Sequence, residues 1–176
     1  SYGERSEVYI AKVGAPSIQY FGYQTDGVWL SQEEIDNSGY TFLVGKTVKP
    51  GTLKVVDQDG NNIINADDRV ELGNPFPKFT WGMTNNFKIQ NFDISIQMQG
   101  VQGITVLNGD GYYSETKKIN RAYTTNRYIS AEYPGDGQTP TFANGDGMQW
   151  ELTDYLLQDA SYAALRDFSV GYTFNK

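Results

Sequence analysis

The chain predicts an all-β fold of antiparallel strands joined by long loops, on three observations. The first is a hairpin signature at 79–98. Phe79-Thr-Trp81-Gly-Met83-Thr-Asn85-Asn-Phe87-Lys-Ile89 places apolar side chains at odd positions, with one lapse at Asn85, whereas Phe92-Asp-Ile94-Ser-Ile96-Gln-Met98 places them at even positions. A two-residue turn at Gln90-Asn91 produces that change of phase, because it makes Ile89 and Phe92 cross-strand partners on one face. The second observation is composition. There are 13 Tyr, 9 Phe and 19 Gly among 176 residues, aromatics that suit strands and glycines that suit turns. The third is the poverty of helical signal: only Ser31-Gln-Glu-Glu34-Ile35 opens a short helical turn, with Ser31 as N-cap and Glu34 at the capping-box position.

In chain order, alternation predicts a strand over 6–13, then one or two strands over 18–30 interrupted at Gly22 and Gly27. Residues 52–56 form a short strand that enters an Asp/Asn-rich loop. The hairpin follows, with arms at 79–89 and 92–101. Each arm supplies about 9–11 residues, the length a tilted strand needs to cross a bilayer. Residues 102–150 form a long connection rich in Gly, Asn, Asp, Tyr and Thr, including Asn108-Gly-Asp-Gly111 and Pro134-Gly-Asp-Gly137. A structureless connection of that length is uncommon in a compact soluble domain. It is ordinary on the outer side of a bacterial outer-membrane barrel, whose periplasmic turns are short. The last strand, 167–174, puts Phe168, Val170, Tyr172 and Phe174 on one face.

The decisive question is whether the greasy face of the hairpin meets lipid or a protein core. A closed bacterial barrel needs at least about eight strands, and open edges in lipid leave backbone groups unpaired. The four to six strands predicted here therefore form a piece of a barrel, or else a soluble sandwich. In the barrel reading the Gln90-Asn91 turn is periplasmic, and 31–78 and 102–160 lie outside the cell. The apolar face (Phe79, Trp81, Met83, Phe87, Ile89, Phe92, Ile94, Ile96, Met98) meets lipid. The polar face (Thr80, Thr84, Asn86, Lys88, Asp93, Ser95, Gln97, Gln99) lines a wet lumen. In the alternative, a secreted calcium-stabilised carbohydrate-binding β-sandwich, the same apolar face is the core. Exposed Trp29, Trp150 or Tyr112 and Tyr113 would then stack on sugars.

Charge and composition narrow the function further. With 14 basic and 21 acidic residues the formal charge is −7, which argues against nucleic acid as a partner. The chain has no Cys and no His, which removes disulfides, thiolate sites, His-based triads and the usual zinc ligand sets. No apolar run approaches the roughly 20 residues of a membrane helix, a fact silent about barrels, whose strands alternate. The acidic pairs Glu33/Glu34 and Asp67/Asp68 could in principle serve as glycosidase carboxylates. They read instead as solvated loop charges, and the chain is not expected to be an enzyme. Its start at Ser1 has the character of mid-chain sequence without a signal peptide.

One loop has the spacing of a calcium site. Counting Asp57 as position 1, oxygen-bearing side chains fall at positions 1, 3, 5, 9 and 12: Asp57, Asp59, Asn61, Asn65 and Asp68. Ile63 at position 7 would offer its carbonyl, and Ile64 at position 8 an apolar anchor. Such an oxygen-rich shell suits a hard cation such as Ca²⁺, acting structurally. Asn62 replaces the usual Gly at position 6, and Asp replaces Glu at position 12. The competing reading is an Asx-rich turn that caps itself and binds nothing. In the long connection, Tyr112, Tyr113 and Trp150 are the candidates for substrate contact, because aromatic faces suit sugar CH groups or peptide side chains.

Several segments together resemble SusC/RagA-type TonB-dependent outer-membrane transporters. They are Phe21-Gly-Tyr23-Gln-Thr-Asp26-Gly27-Val-Trp29; Pro50-Gly51 through Asp57-Gln-Asp-Gly-Asn-Asn-Ile-Ile64; Leu72-Gly-Asn-Pro75-Phe-Pro77-Lys-Phe79-Thr-Trp-Gly82; Phe92-Asp-Ile-Ser-Ile-Gln-Met-Gln-Gly100; and Gln158-Asp-Ala-Ser-Tyr162 through Leu165-Arg-Asp-Phe-Ser-Val170-Gly-Tyr172. The resemblance implies a roughly 22-stranded transmembrane β-barrel with an N-terminal plug. Such a barrel sits in the outer membrane of Bacteroidetes-type bacteria, with its long loops on the extracellular side. It imports oligosaccharides or peptides, is driven by TonB through the plug, and pairs with a SusD-like surface lipoprotein lid. Residues 1–176 are then expected to be a C-terminal part of the barrel, without the plug and the final strands.

Overall fold

In the computed structural model, which describes residues 9–42, 46–108, 126–141 and 151–174, the chain divides into two units. One comprises Ser1–Gly73 with Leu107–Gln158, the other Asn74–Val106 with Asp159–Lys176. Both are built on antiparallel strands, as predicted, with one short α-helix among the described residues.

In the first unit, β1 (Tyr9–Ile10), β2 (Gln19–Tyr23) and β5 (Arg69–Gly73) form a sheet in the order β1-β2-β5, and β3 (Thr25–Val28) pairs with β4 (Leu53–Val55). Of the strand expected over 6–13, only Tyr9–Ile10 is extended and paired among the described residues. The break between β2 and β3 falls at Gln24 rather than at Gly22, which stays inside β2 because the main chain of Leu152 runs against it. Helix α1 (Gln32–Ser38) begins where the cap predicts: Ser31 Oγ accepts from Glu34 N at 3.1 Å. Glu34 reaches back one residue further than a capping box requires, accepting from Leu30 N at 2.9 Å. Gly39, at φ 69°, ends the helix in the left-handed conformation.

The core of this unit gathers Tyr23, Val28, Leu53, Val55, Ile64 and Tyr128. Beside it Trp29 is wholly buried, with Tyr40 and Phe42 edge-on to its ring. Two expectations are corrected here. Trp29 cannot be an exposed sugar platform, because β3 ends by turning it inward. The long connection is not structureless either, since its 126–141 part folds into the core through Tyr128. That part is shaped by Asp136, whose Oδ1 accepts from Gln138 N (2.8 Å) and Thr139 N (2.7 Å).

In the second unit β6 (Phe79–Ile89), β7 (Phe92–Gln102) and β10 (Tyr162–Tyr172) form an antiparallel sheet in the order β10-β7-β6, each strand 11 residues long. The hairpin register is the predicted one, running from Ile89↔Phe92 at the turn to Phe79↔Gln102 at the far end. Gln90 takes the positive φ (54°) that a tight turn demands. The last strand begins at Tyr162, five residues earlier than predicted, and contains a bulge between Leu165 and Asp167. The bulge was concealed because apolar residues shift from odd (Ala163, Leu165) to even positions (Phe168, Val170) across it. The extra residue absorbs that slip and keeps both runs on one face. Two three-residue strands, β8 (Thr105–Leu107) and β9 (Leu157–Asp159), lie where the sequence passes between the units.

Candidate functional site

The sheet of the second unit has two chemically opposite faces. Cross-strand pairing aligns Met83 with Met98, Phe87 with Ile94 and Ile89 with Phe92, while β10 adds Leu165 opposite Met98, Phe168 opposite Ile96 and Val170 opposite Ile94. Phe92, Tyr172 and Phe174 form a contiguous aromatic group at the turn end, with ring centroids 4.8 and 4.9 Å apart along the chain of contacts. Towards the far end Trp81 lies across Gly100, its directly opposed partner, so that a side chain on Gly100 would strike the indole. Most of this apolar face is exposed: Phe79, Met83, Phe87, Ile89, Phe92, Leu165, Phe168, Val170 and Tyr172. Within its own unit the apolar face is therefore left open rather than packed as a core.

The other face carries the predicted Thr84, Asn86, Lys88, Asp93, Ser95 and Gln97, joined by Asp167 and Ser169 of β10. Lys88 and Asp93 oppose one another, Nζ to Oδ1 at 3.8 Å, both well exposed. Arg166 at the bulge also reaches this face. With its carboxamide oxygen turned toward the guanidinium, Gln99 accepts from Arg166 Nη2 at 2.7 Å and Nε at 3.0 Å. Sequence reasoning missed Arg166, and the odd-to-even slip of apolar residues around it was the available signal.

The Asp/Asn loop brings three of its predicted ligands together. One oxygen each from Asp57, Asp59 and Asp68 lie within 4.8 Å of one another. Ile64 is buried as an anchor, and its N–H donates to Thr41 O at 2.8 Å. Asn62 takes a left-handed φ of 62°, as its place at position 6 demands. Burial would raise the Asp57 pKa, but N–H groups donated by Asn62 and Gly60 outweigh it and hold the carboxyl below its usual range. Asp68 is wholly buried and accepts from Gln58 N and Asn65 N, both at 2.8 Å. Asn61 and Asn65 turn their side-chain oxygens to backbone N–H groups, those of Ile63 and Asp67, each at 2.6 Å. The loop is therefore both self-capped and rich in converging carboxylate oxygen. Tyr112, Tyr113 and Trp150 lie outside the described residues.

No protein-family model matches the chain. It is similar to TonB-dependent receptor P26 of Formosa agariphila, 38% identical over 96 residues, covering 54% of this chain and 9% of the relative. It is also similar to TonB-dependent receptor P3 of the same organism, 28% identical over 170 residues, covering 93% of this chain and 16% of the relative. The chain therefore spans less than a fifth of either relative. Both relatives are TonB-dependent receptors, the broader class to which the motif resemblance points.

Proposed function

We propose, from that kinship, that this chain supplies three wall strands of a TonB-dependent outer-membrane transporter together with a folded body on the outer side of the membrane. The exposed apolar face of β6, β7 and β10 carries the reading. Removing a large apolar side chain from water is worth about 1.5–3 kcal/mol, so a whole stripe of them in water would be a heavy liability that a bilayer removes. Strands of 11 residues match the tilted crossing length. The edges of β6 and β10 call for further strands on either side, because unpaired backbone groups in lipid cost several kcal/mol each. The remainder of the barrel is therefore a partner, as is the lipid itself.

Connectivity supports the sidedness. Residues 9–73 precede the hairpin and 107–158 follow it, yet both belong to one unit. Two crossings return the chain to the side it left, and a two-residue turn occupies the other side. On this reading the long segments are extracellular and the Gln90-Asn91 turn periplasmic. The finer assignment is a SusC/RagA-type importer of oligosaccharides or peptides, energised by TonB through a plug and covered by a SusD-like lipoprotein. It is supported by the five motif segments.

Single Cys residues can be placed in this Cys-free stretch of a parent protein cleared of any other Cys, spin-labelled and studied in bilayers. Labels at Phe87, Ile94 and Phe168 are expected to be relaxed by oxygen and shielded from a water-soluble nickel chelate, with the reverse at Asn86, Ser95 and Ser169. Labels on the apolar face that are shielded from both would mean a protein core and would sink the membrane reading.

For the Asp/Asn loop we propose a structural Ca²⁺, held by Asp57, Asp59 and Asp68 with the Ile63 carbonyl, that stiffens the loop. Millimolar Ca²⁺ should slow amide exchange across 57–68, and the pair Asp57→Asn with Asp59→Asn should abolish the effect. Unchanged exchange in the folded parent protein would leave the self-capped turn as the whole account.

A further inference from the structure

The two segments of the first unit meet along a seam of main-chain and buried polar contacts. Tyr23 N donates to Leu152 O (2.8 Å), Val28 N to Gly137 O (3.0 Å) and Thr141 N to Gly51 O (2.8 Å). Tyr128 Oη donates to Leu30 O at 3.1 Å. Asp154 Oδ1 accepts from both the N and Oγ1 of Thr25, at 3.0 and 2.6 Å. Lys46 Nζ lies 3.0 Å from Glu151 Oε1, with both side chains largely buried.

Three glycines of the first segment clear the way for the second. A Cβ on Gly22 would run into the Leu152 carbonyl, one on Gly27 into the Gly137 carbonyl, and one on Gly51 into the Tyr128 ring. All three belong to the Phe21–Trp29 and Pro50–Ile64 motifs. Along the seam, N–H groups of one segment find their acceptors on the other. Opening it would strand buried donors on one side and buried acceptors on the other, together with the Tyr128-shaped gap in the core.

We infer that the described parts of the two segments, 9–42 and 46–73 on one side and 126–141 and 151–158 on the other, form a clasp, a single cooperative unit in which neither side opens without the other. Loops that flank the β6–β7 hairpin on both sides in sequence therefore act as one body, and whatever displaces one displaces both. This holds whether or not the sheet crosses a membrane.

Hydrogen exchange on the parent protein tests it, with the clasp wedged from either side. Gly22→Val and, separately, Asp154→Ala should each speed exchange in 19–28, 126–141 and 151–158 together, by about tenfold or more, while β6, β7 and β10 keep their protection. Deprotection confined to the substituted segment in each variant would overturn the clasp. Should Gly22→Val prevent folding, a cycle of Thr25→Val and Asp154→Ala decides the matter. A double variant no more exposed than Asp154→Ala alone supports the seam, and fully additive effects overturn it.

Discussion

The two units use the same kinds of side chain to opposite ends. In the first, Trp29, Leu53 and Ile64 retain 1%, 2% and 1% of their accessible surface; in the second, Phe168, Ile89 and Leu165 retain 60%, 59% and 58%. Strand alternation is sharper in the second unit, where the apolar face is open, than in the first, where short strands and loops converge on a closed core. Regular amphipathicity thus reports that a strand has two different neighbours. It does not report whether the apolar neighbour is protein.

The contrast can be broken most forcefully at Trp29. Trp29→Ala empties the largest wholly buried side chain among the described residues of the first unit and should destabilise that unit by about 3–5 kcal/mol, read as lost hydrogen-exchange protection at 19–56. Phe168→Ala should leave that protection untouched. Equal effects of the two would mean that the units share a core.

Next in size, Ile96→Arg puts a charge on the apolar face at mid-strand, opposite Asn85 and Phe168. Chemical unfolding from a bilayer should show a loss of about 2–4 kcal/mol, against little change for Ser95→Arg on the other face. Similar losses at both positions would refute a lipid-facing side. Smaller again, Ser31→Ala removes the cap of α1 at a cost of about 1 kcal/mol, visible as local exchange at 31–38 with β7 unaffected.

Titration separates the units as well. Burial, reinforced by the Glu151 carboxylate, pushes the Tyr23 phenol up to about 12. Its contribution to stability is whole below the unfolded value of about 10 and is lost as pH rises toward 12. Ultraviolet absorbance at high pH should show tyrosine ionisation coinciding with opening of the first unit. Asp57, whose pKa is lowered, works the other way. It stabilises the loop above the unfolded value near 3.9, and that contribution fades as pH falls through its folded value. Acid should therefore loosen 57–68, read as faster amide exchange there as the pH is lowered.

What was legible in the sequence was local. The hairpin turn, its register, the Ser31 cap and the convergence of Asp57, Asp59 and Asp68 each depend on residues within about a dozen positions of one another. The seam joins partners such as Gly51 and Thr141, or Leu30 and Tyr128, that have no common periodicity. A Gly selected for the close approach of a distant carbonyl is spelled like one selected for a turn, which is why Gly22 was read as a break. Trp29 illustrates the same limit, since nothing in its neighbours signals which way a residue just past a strand end will point.

The bulge at Arg166 has a consequence for how such a chain tolerates insertion and deletion. Elsewhere in β10, loss of one residue would rotate everything beyond it to the wrong side. Deleting Arg166 alone would leave Ala163, Leu165, Phe168, Val170 and Tyr172 in unbroken alternation. Deleting Asp167 does the same, so the step between Leu165 and Phe168 is the place in this strand where the reading frame of the two faces can lose a residue and still make sense.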